Sequence, residues 1–319
     1  MLFPIEYCSL FVKFLLTKPA KKYNIYFNRF VCVKGGVILK IAVIGMGLIG
    51  GSFCKTLKKN TKHAVFGFDK DNGVTQKALS EEAIDKIIAP EELQECDMSV
   101  VCLHPEQTID FILENLDNFK SGTIVFDVCG VKKSISDAVE AELLKKGVYF
   151  VGTHPMAGRE FSGYDYSLDT MFDNASFIIA KTEFTNATAL ETVKTVAEEM
   201  KFKRIVISTP EQHDSIIAFT SQLAHIVSNA YIKSPTLQNR SGYSAGSFLD
   251  MTRVAKLNED MWTSLFMMNK APLVYEIDTI IENLERYRDA LQNSDSATLK
   301  TLLREGRIIK ENSLEAGDK

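Results

Sequence analysis

Apolar and polar positions follow one regime along the first two thirds of the chain and another along the last. Between about residues 40 and 208, short runs of β-branched and other apolar side chains recur between longer amphipathic stretches; after residue 210 only the longer stretches continue. Such short apolar runs read as buried strands. They predict strands at 40–45, 64–68, 98–103, 123–128, 148–151, 176–180 and 204–208, with helices between them at 48–59, 106–116 and 134–146. This alternation predicts an α/β fold with an open, doubly wound, mostly parallel sheet. The later stretches 211–233, 245–257, 259–268, 270–291 and 296–309 predict an all-helical part, with Pro235, Gly242 and Gly246 as breakers between the first two.

The first strand runs into Gly45-Met46-Gly47-Leu48-Ile49-Gly50. Three glycines at this spacing, after a strand and before a helix, form a dinucleotide-binding fingerprint. Gly45 permits the tight turn, Gly47 lets the backbone approach a pyrophosphate, and Gly50 lets helix and strand pack closely. Leu48 and Ile49 open the helix, whose free N–H groups and positive dipole end suit phosphates. Asp69, at the end of the second strand, stands where a carboxylate binds the 2′-hydroxyl of NAD and repels the 2′-phosphate of NADP; Lys70 beside it weakens that exclusion. NAD is therefore the expected cofactor, with NADP possible. The expected organisation is an extension at 1–38, a dinucleotide-binding domain at 39–208 and a helical domain at 209–319.

The chain has 319 residues with 45% hydrophobic and 24% charged residues and a net charge of −4, which excludes a disordered chain and argues against a nucleic-acid binder. Six cysteines without a CxxC pair read as reduced thiols, not as a metal site or a disulfide framework, and no metal is expected. Residues 1–38 stand apart with a net charge of +5. They lack the features of a secretory signal, and their apolar runs fall far below the ~20 residues of a membrane span. We read them as an extension added by start-site choice, with Leu39 a TTG initiator, and expect a cytoplasmic protein without membrane partners. The segment 215–232 lacks Asp, Glu, Lys and Arg. A helix apolar on most faces needs to be buried, and a second subunit wrapped around it predicts a homodimer.

A nicotinamide enzyme needs a base that takes a proton while hydride leaves the substrate, and histidine suits that task near neutral pH. Of five histidines, His63 is expected at the surface, His104 in a capping or packing role, and His213 in a structural hydrogen bond in the first turn of the long helix. His154 lies in a glycine-flanked stretch, Gly152 to Gly158, expected as a loop just after a strand at the cofactor end of the sheet. His225, mid-helix, shares a face with Ser221, and such a histidine is more often a satisfied core residue. Arg253 offers either a surface ion pair or a two-point anchor for a carboxylate.

Taken together, GMGLIGGS, GTHPMAGRE, SQLAH and AGSFLDMTRVA resemble, in order, the motifs of the prephenate dehydrogenase family of tyrosine biosynthesis, over nearly all of residues 39–319. The resemblance implies a Rossmann domain followed by a helical dimerisation domain. It implies oxidative decarboxylation of prephenate to 4-hydroxyphenylpyruvate with reduction of NAD or NADP. On the same footing His154 would draw off the proton of the substrate's ring hydroxyl. Arg253 would hold a substrate carboxylate, His225 would contact the substrate, and Glu160 and Trp262 would stand near the pocket mouth.

One position departs from the pattern. Where the family often has a serine that orients the catalytic histidine and nicotinamide, this chain has Gly130, in Asp127-Val128-Cys129-Gly130-Val131-Lys132. Gly130 is kept among the expected cofactor-binding positions, and Lys132 is read either as a helpful charge or as a solvated lysine at a helix start. The alternatives are an arogenate dehydrogenase, another hydroxy-acid dehydrogenase, and an NAD(H)-binding sensor that has lost activity.

Overall fold

The computed structural model describes residues 31–33, 36–243 and 245–316. Two compact units are distinguished, 1–38 and 39–319. In the first, Val31–Val33 and Gly36–Ile38 pair as antiparallel strands; the expected origin of this extension concerns positions that mostly lie outside the described residues.

In the second unit, eight strands form one sheet: β1 (Lys40–Ile44), β2 (Ala64–Phe68), β3 (Lys86–Ile87), β4 (Met98–Val101), β5 (Ile124–Asp127), β6 (Tyr149–Pro155), β7 (Ser176–Ala180) and β8 (Arg204–Ser208). The spatial order is β8-β7-β6-β5-β4-β1-β2-β3. Every pairing is parallel except β6 with β7, which run antiparallel with His154 opposite Ile178. Side chains alternate across β1: Ile41 and Val43 join the core that holds Phe53 and Leu57 of α1 (Leu48–Asn60), while Ala42 and Ile44 join the core that holds Ile135 and Val139 of α4 (Lys133–Lys145). Both faces of β1 are thus covered, which is why it reads as a continuous apolar run. Helices α2 (Asn72–Ser80), α3 (Pro105–Glu114) and α5 (Ala187–Glu199) complete the layers. This is the expected doubly wound α/β architecture.

From Pro210 onward the described residues are helical or irregular: α6 (Pro210–Ile217), α7 (Leu223–Tyr231), α8 (Gly246–Thr252), α9 (Glu259–Met268), α10 (Lys270–Gln292) and α11 (Ser296–Ala316). The helix expected over 211–233 is real but interrupted. Ala218–Gln222 forms a π-helical turn between α6 and α7, a wider turn that re-aims the residues after it. The helix expected over 245–257 ends at Thr252 and tightens into a 3-10 turn over Arg253–Ala255. No helix of the described residues is long and apolar enough to cross a membrane. Cys54, Cys96, Cys102 and Cys129 are free, and burial pushes the thiols up, to about 12 for Cys54, so they stay protonated.

Candidate active site

The glycine turn between β1 and α1 is built as its spacing predicts. Gly45 has φ +81°, and a Cβ on it would stand 2.6 Å from Leu103 Cδ2 and 2.8 Å from the Cys102 carbonyl oxygen. A Cβ on Gly50 would overlap the Gly45 carbonyl oxygen, so Gly50 allows helix and turn to close on each other. Around Gly47 a Cβ meets nothing within 4 Å. The first turn of α1 has no side-chain cap, which leaves the amide donors of Leu48 and Ile49 available. A cavity of about 380 Å³ adjoins the turn, lined by Gly45, Phe68, Asp69, Lys70, Leu103 and Phe111 among others. Asp69 also braces the turn: Oδ2 accepts the Met46 N–H at 2.7 Å and Oδ1 accepts the Asp71 N–H at 2.9 Å. Open backbone at Gly47, uncapped helix donors and a carboxylate beside the cavity fit a dinucleotide.

His154 lies within β6 and not in a loop after it. The expected strand end was too early because β7, arriving antiparallel, supplies hydrogen-bond partners through Pro155. Its Nδ1 is 2.9 Å from His213 Nε2, and the two rings meet edge to face. His213 is buried, with Nδ1 2.7 Å from Asp214 Oδ1. Asp214 also accepts the backbone N–H groups of Lys132 and Lys133, each at 2.8 Å, so its carboxylate sits on the N-terminus of α4. Burial drives the His154 pKa well below the ordinary histidine value, with His213 and the Lys132 charge acting the same way. A base here is neutral at physiological pH.

Lys132 is not solvated at a helix start. It is fully buried, paired with Asp127, and donates to the Thr153 carbonyl at 2.7 Å. Gly130 stands next to the imidazole: a Cβ there would lie 3.9 Å from His154 Nε2 and 3.8 Å from Leu265 Cδ2 of α9. His63 also departs from expectation. It is buried, accepts the Leu39 N–H on Nδ1, and contacts Glu199 through Nε2 at 2.9 Å, because the start of β1 is covered by the end of α5. His104 is exposed at the start of α3 and makes no cap bond.

The second group of expected residues also converges. His225 donates from Nδ1 to the Val254 carbonyl at 3.1 Å and packs on Trp262 with ring centroids 3.8 Å apart. Desolvation lowers its pKa, and the neighbouring Arg253 charge adds to that. Arg253 Nη1 is 3.1 Å from Glu160 Oε1, both side chains largely exposed. This contact joins the segment after β6 to the helical region. Trp262 and Leu265 are three residues apart on α9 and so share a face. One meets His225 and the other the Gly130 position, so α9 ties the two groups to one cleft.

His213 and Asp214 were assigned no chemistry from sequence. A His-Asp pair in the first turn of a largely apolar helix is a faint signal, and nothing local reveals a partner 59 residues away. Asn269 was missed as well; it donates to the Asp214 carbonyl and to Gln222 Oε1, each at 2.8 Å, and pins α6 to the start of α10.

Comparison with known proteins is consistent with this arrangement. Residues 53–206 match the family described as prephenate dehydrogenase, nucleotide-binding domain, and residues 209–305 match prephenate dehydrogenase, dimerization domain. The chain is 27% identical over 271 residues to the prephenate dehydrogenase of Bacillus subtilis (strain 168), spanning 81% of this chain and 72% of that protein. It is 29% identical over 273 residues to the cyclohexadienyl dehydrogenase of Zymomonas mobilis, spanning 81% and 90%. Among solved structures, the prephenate dehydrogenase of Aquifex aeolicus in complex with hydroxyphenyl propionate and NAD+ superposes with a TM-score of 0.78 at 26% identity, covering 87% of this chain and 99% of that one.

Proposed function

The chain belongs to the prephenate dehydrogenase family of oxidoreductases, and on that footing we propose that it carries out the NAD-dependent oxidative decarboxylation of prephenate to 4-hydroxyphenylpyruvate. The observation that carries this reading is the setting of His154. Its Nδ1 is engaged by His213, while its Nε2 edge lies at Gly130, beside the helix that presents Trp262 and Leu265.

Gly45, Gly47, Leu48, Ile49, Gly50 and Asp69 would hold NAD, with Gly130 beside its nicotinamide end. Bound NAD supplies the hydride acceptor. His154 Nε2 accepts the hydrogen bond of the ring hydroxyl and takes its proton as hydride leaves the same carbon. Loss of the ring carboxylate as CO2 makes the ring aromatic, and His154 returns the proton to the phenol oxygen. Arg253 anchors a substrate carboxylate by its guanidinium fork. His225 and Trp262 form the wall opposite, and Glu160 holds Arg253 in place until the substrate arrives.

The same reading includes a homodimer formed through the helical half. Tyr275, Leu284 and Ile309 are exposed by 68%, 60% and 69%, apolar side chains that a second copy would cover. The dimerization-domain match supports a second copy as the occupant. Light scattering after gel filtration checks this, and a monomer would reject it.

The deciding assay is NADH absorbance on mixing the protein with prephenate or with arogenate, each with NAD and with NADP. Turnover of prephenate with NAD is expected. Preference for arogenate would move the substrate assignment to the amino analogue. NAD binding without turnover of either would indicate a sensor.

A further inference from the structure

The reading of His154 as the base leaves open what sets its tautomer. A carboxylate can only accept hydrogen bonds. Asp214 accepts two backbone N–H groups at the start of α4 and, at 2.7 Å, the Nδ1–H of His213. His213 Nε2 is then a lone pair, 2.9 Å from His154 Nδ1, which must donate to it. The order of donors runs one way, from His154 through His213 to Asp214.

We propose that His213 and Asp214 form a relay behind His154 that fixes it as the Nδ1–H tautomer and stabilises the charge it gains on taking the substrate proton. Both are positioning residues: neither side chain reaches the substrate, and each acts through the next. When His154 Nε2 takes the hydroxyl proton, the Nδ1 proton shifts to His213 Nε2. The positive charge then rests on His213, beside the Asp214 carboxylate, whose proton count does not change. Return of the proton to the phenol oxygen reverses the shift.

The groups facing the pair set the balance. Burial and the Lys132 charge disfavour a cation on either ring, and His213 adds to this at His154. Asp214 opposes them at His213, with a weaker contribution from Asp127, which is itself paired with Lys132. Asp214 cannot drift away, because its carboxylate caps α4 and its carbonyl is held by Asn269. His213 is held at both nitrogens, Nδ1 by Asp214 and Nε2 by His154.

The proposal rests on His154 being the base, and its test separates the two. Long-range 1H–15N spectra of the imidazoles in the free protein should show His154 protonated on Nδ1 and bare on Nε2. The opposite tautomer overturns the relay without any assay of turnover. Asp214→Asn should lower kcat on the order of 10²-fold, as impaired proton transfer does, and move the acid limb of kcat/KM about one pH unit lower, with the Kd for NAD unchanged. An acid limb and kcat like wild type would overturn the proposal. His213→Leu should match Asp214→Asn in kcat, and His213→Gln, which restores an acceptor for the Nδ1–H, should recover part of the loss; equal activity of all three with wild type also overturns it. His154→Asn is the control: if it is inactive while Asp214→Asn is normal, only the relay fails, and if it is active, the base assignment fails first.

Discussion

Lys132 and Asp127 form an ion pair in which neither side chain has any exposed surface. The pair joins three pieces of backbone. Lys132 Nζ donates to the Thr153 carbonyl, one residue before His154, and Asp127 accepts the Cys129 N–H at 2.9 Å, one residue before Gly130. The ends of β5 and β6 and the start of α4 are thereby locked together under the cleft.

Removing one member of such a pair leaves the other charged and buried. Lys132→Met should therefore cost about 3–5 kcal/mol of stability, measured as the shift of a urea unfolding curve. A loss below about 1 kcal/mol would mean that water reaches Asp127 in the variant or that the pair is weakly coupled to folding.

Arg253 presents the opposite case. Its ion pair with Glu160 is exposed, so Arg253→Ala should change stability by no more than about 1 kcal/mol. Its predicted effect is on KM for the substrate, raised on the order of tenfold or more as a charge-assisted anchor is lost. An unchanged KM would place the carboxylate anchor elsewhere.

Gly130 has room for a side chain. A Cβ would find only ordinary contacts at 3.8–3.9 Å, two of them with His154. Gly130→Ser should melt with the wild-type protein and place a hydroxyl within reach of His154 Nε2. We expect kcat/KM to rise, through a second hydrogen bond at the substrate hydroxyl. A large fall in kcat/KM with unchanged melting would show that the open space at Gly130 is itself required.

Acid should destabilise the protein early. Burial lowers the pKa values of His154, His213 and His225 in the folded state. Below the unfolded histidine value of about 6.5, the unfolded chain binds protons that the folded chain refuses. Their contribution to stability is thus complete above that pH and is lost as pH falls through the folded values. The urea midpoint should fall between about pH 7 and pH 5, and His213→Leu should flatten the slope. A midpoint independent of pH over that range would contradict the burial of these rings.

Much of the molecule was legible along the chain because the signals are local. Strands covered on both faces must be apolar throughout, and a turn that admits a pyrophosphate must have glycines at fixed offsets. The strand–helix order, the Gly45–Gly50 turn and the helical second half follow from these two requirements. Four motifs in order carried the resemblance that named the site residues, and the fold brings Glu160 to Arg253 and His225 to Trp262. What the chain alone did not reveal depends on partners far apart in sequence. His154 is in a strand because β7 runs back antiparallel beside it. Lys132 is buried because Asp127 and the Thr153 carbonyl close over it. His213 and Asp214 stand behind His154 because a helix of the second half docks on the start of α4. Local periodicity reports which face of an element is apolar; it carries no record of which polar atoms meet across that interface, and the hydrogen bonds formed there are decided by the tertiary structure.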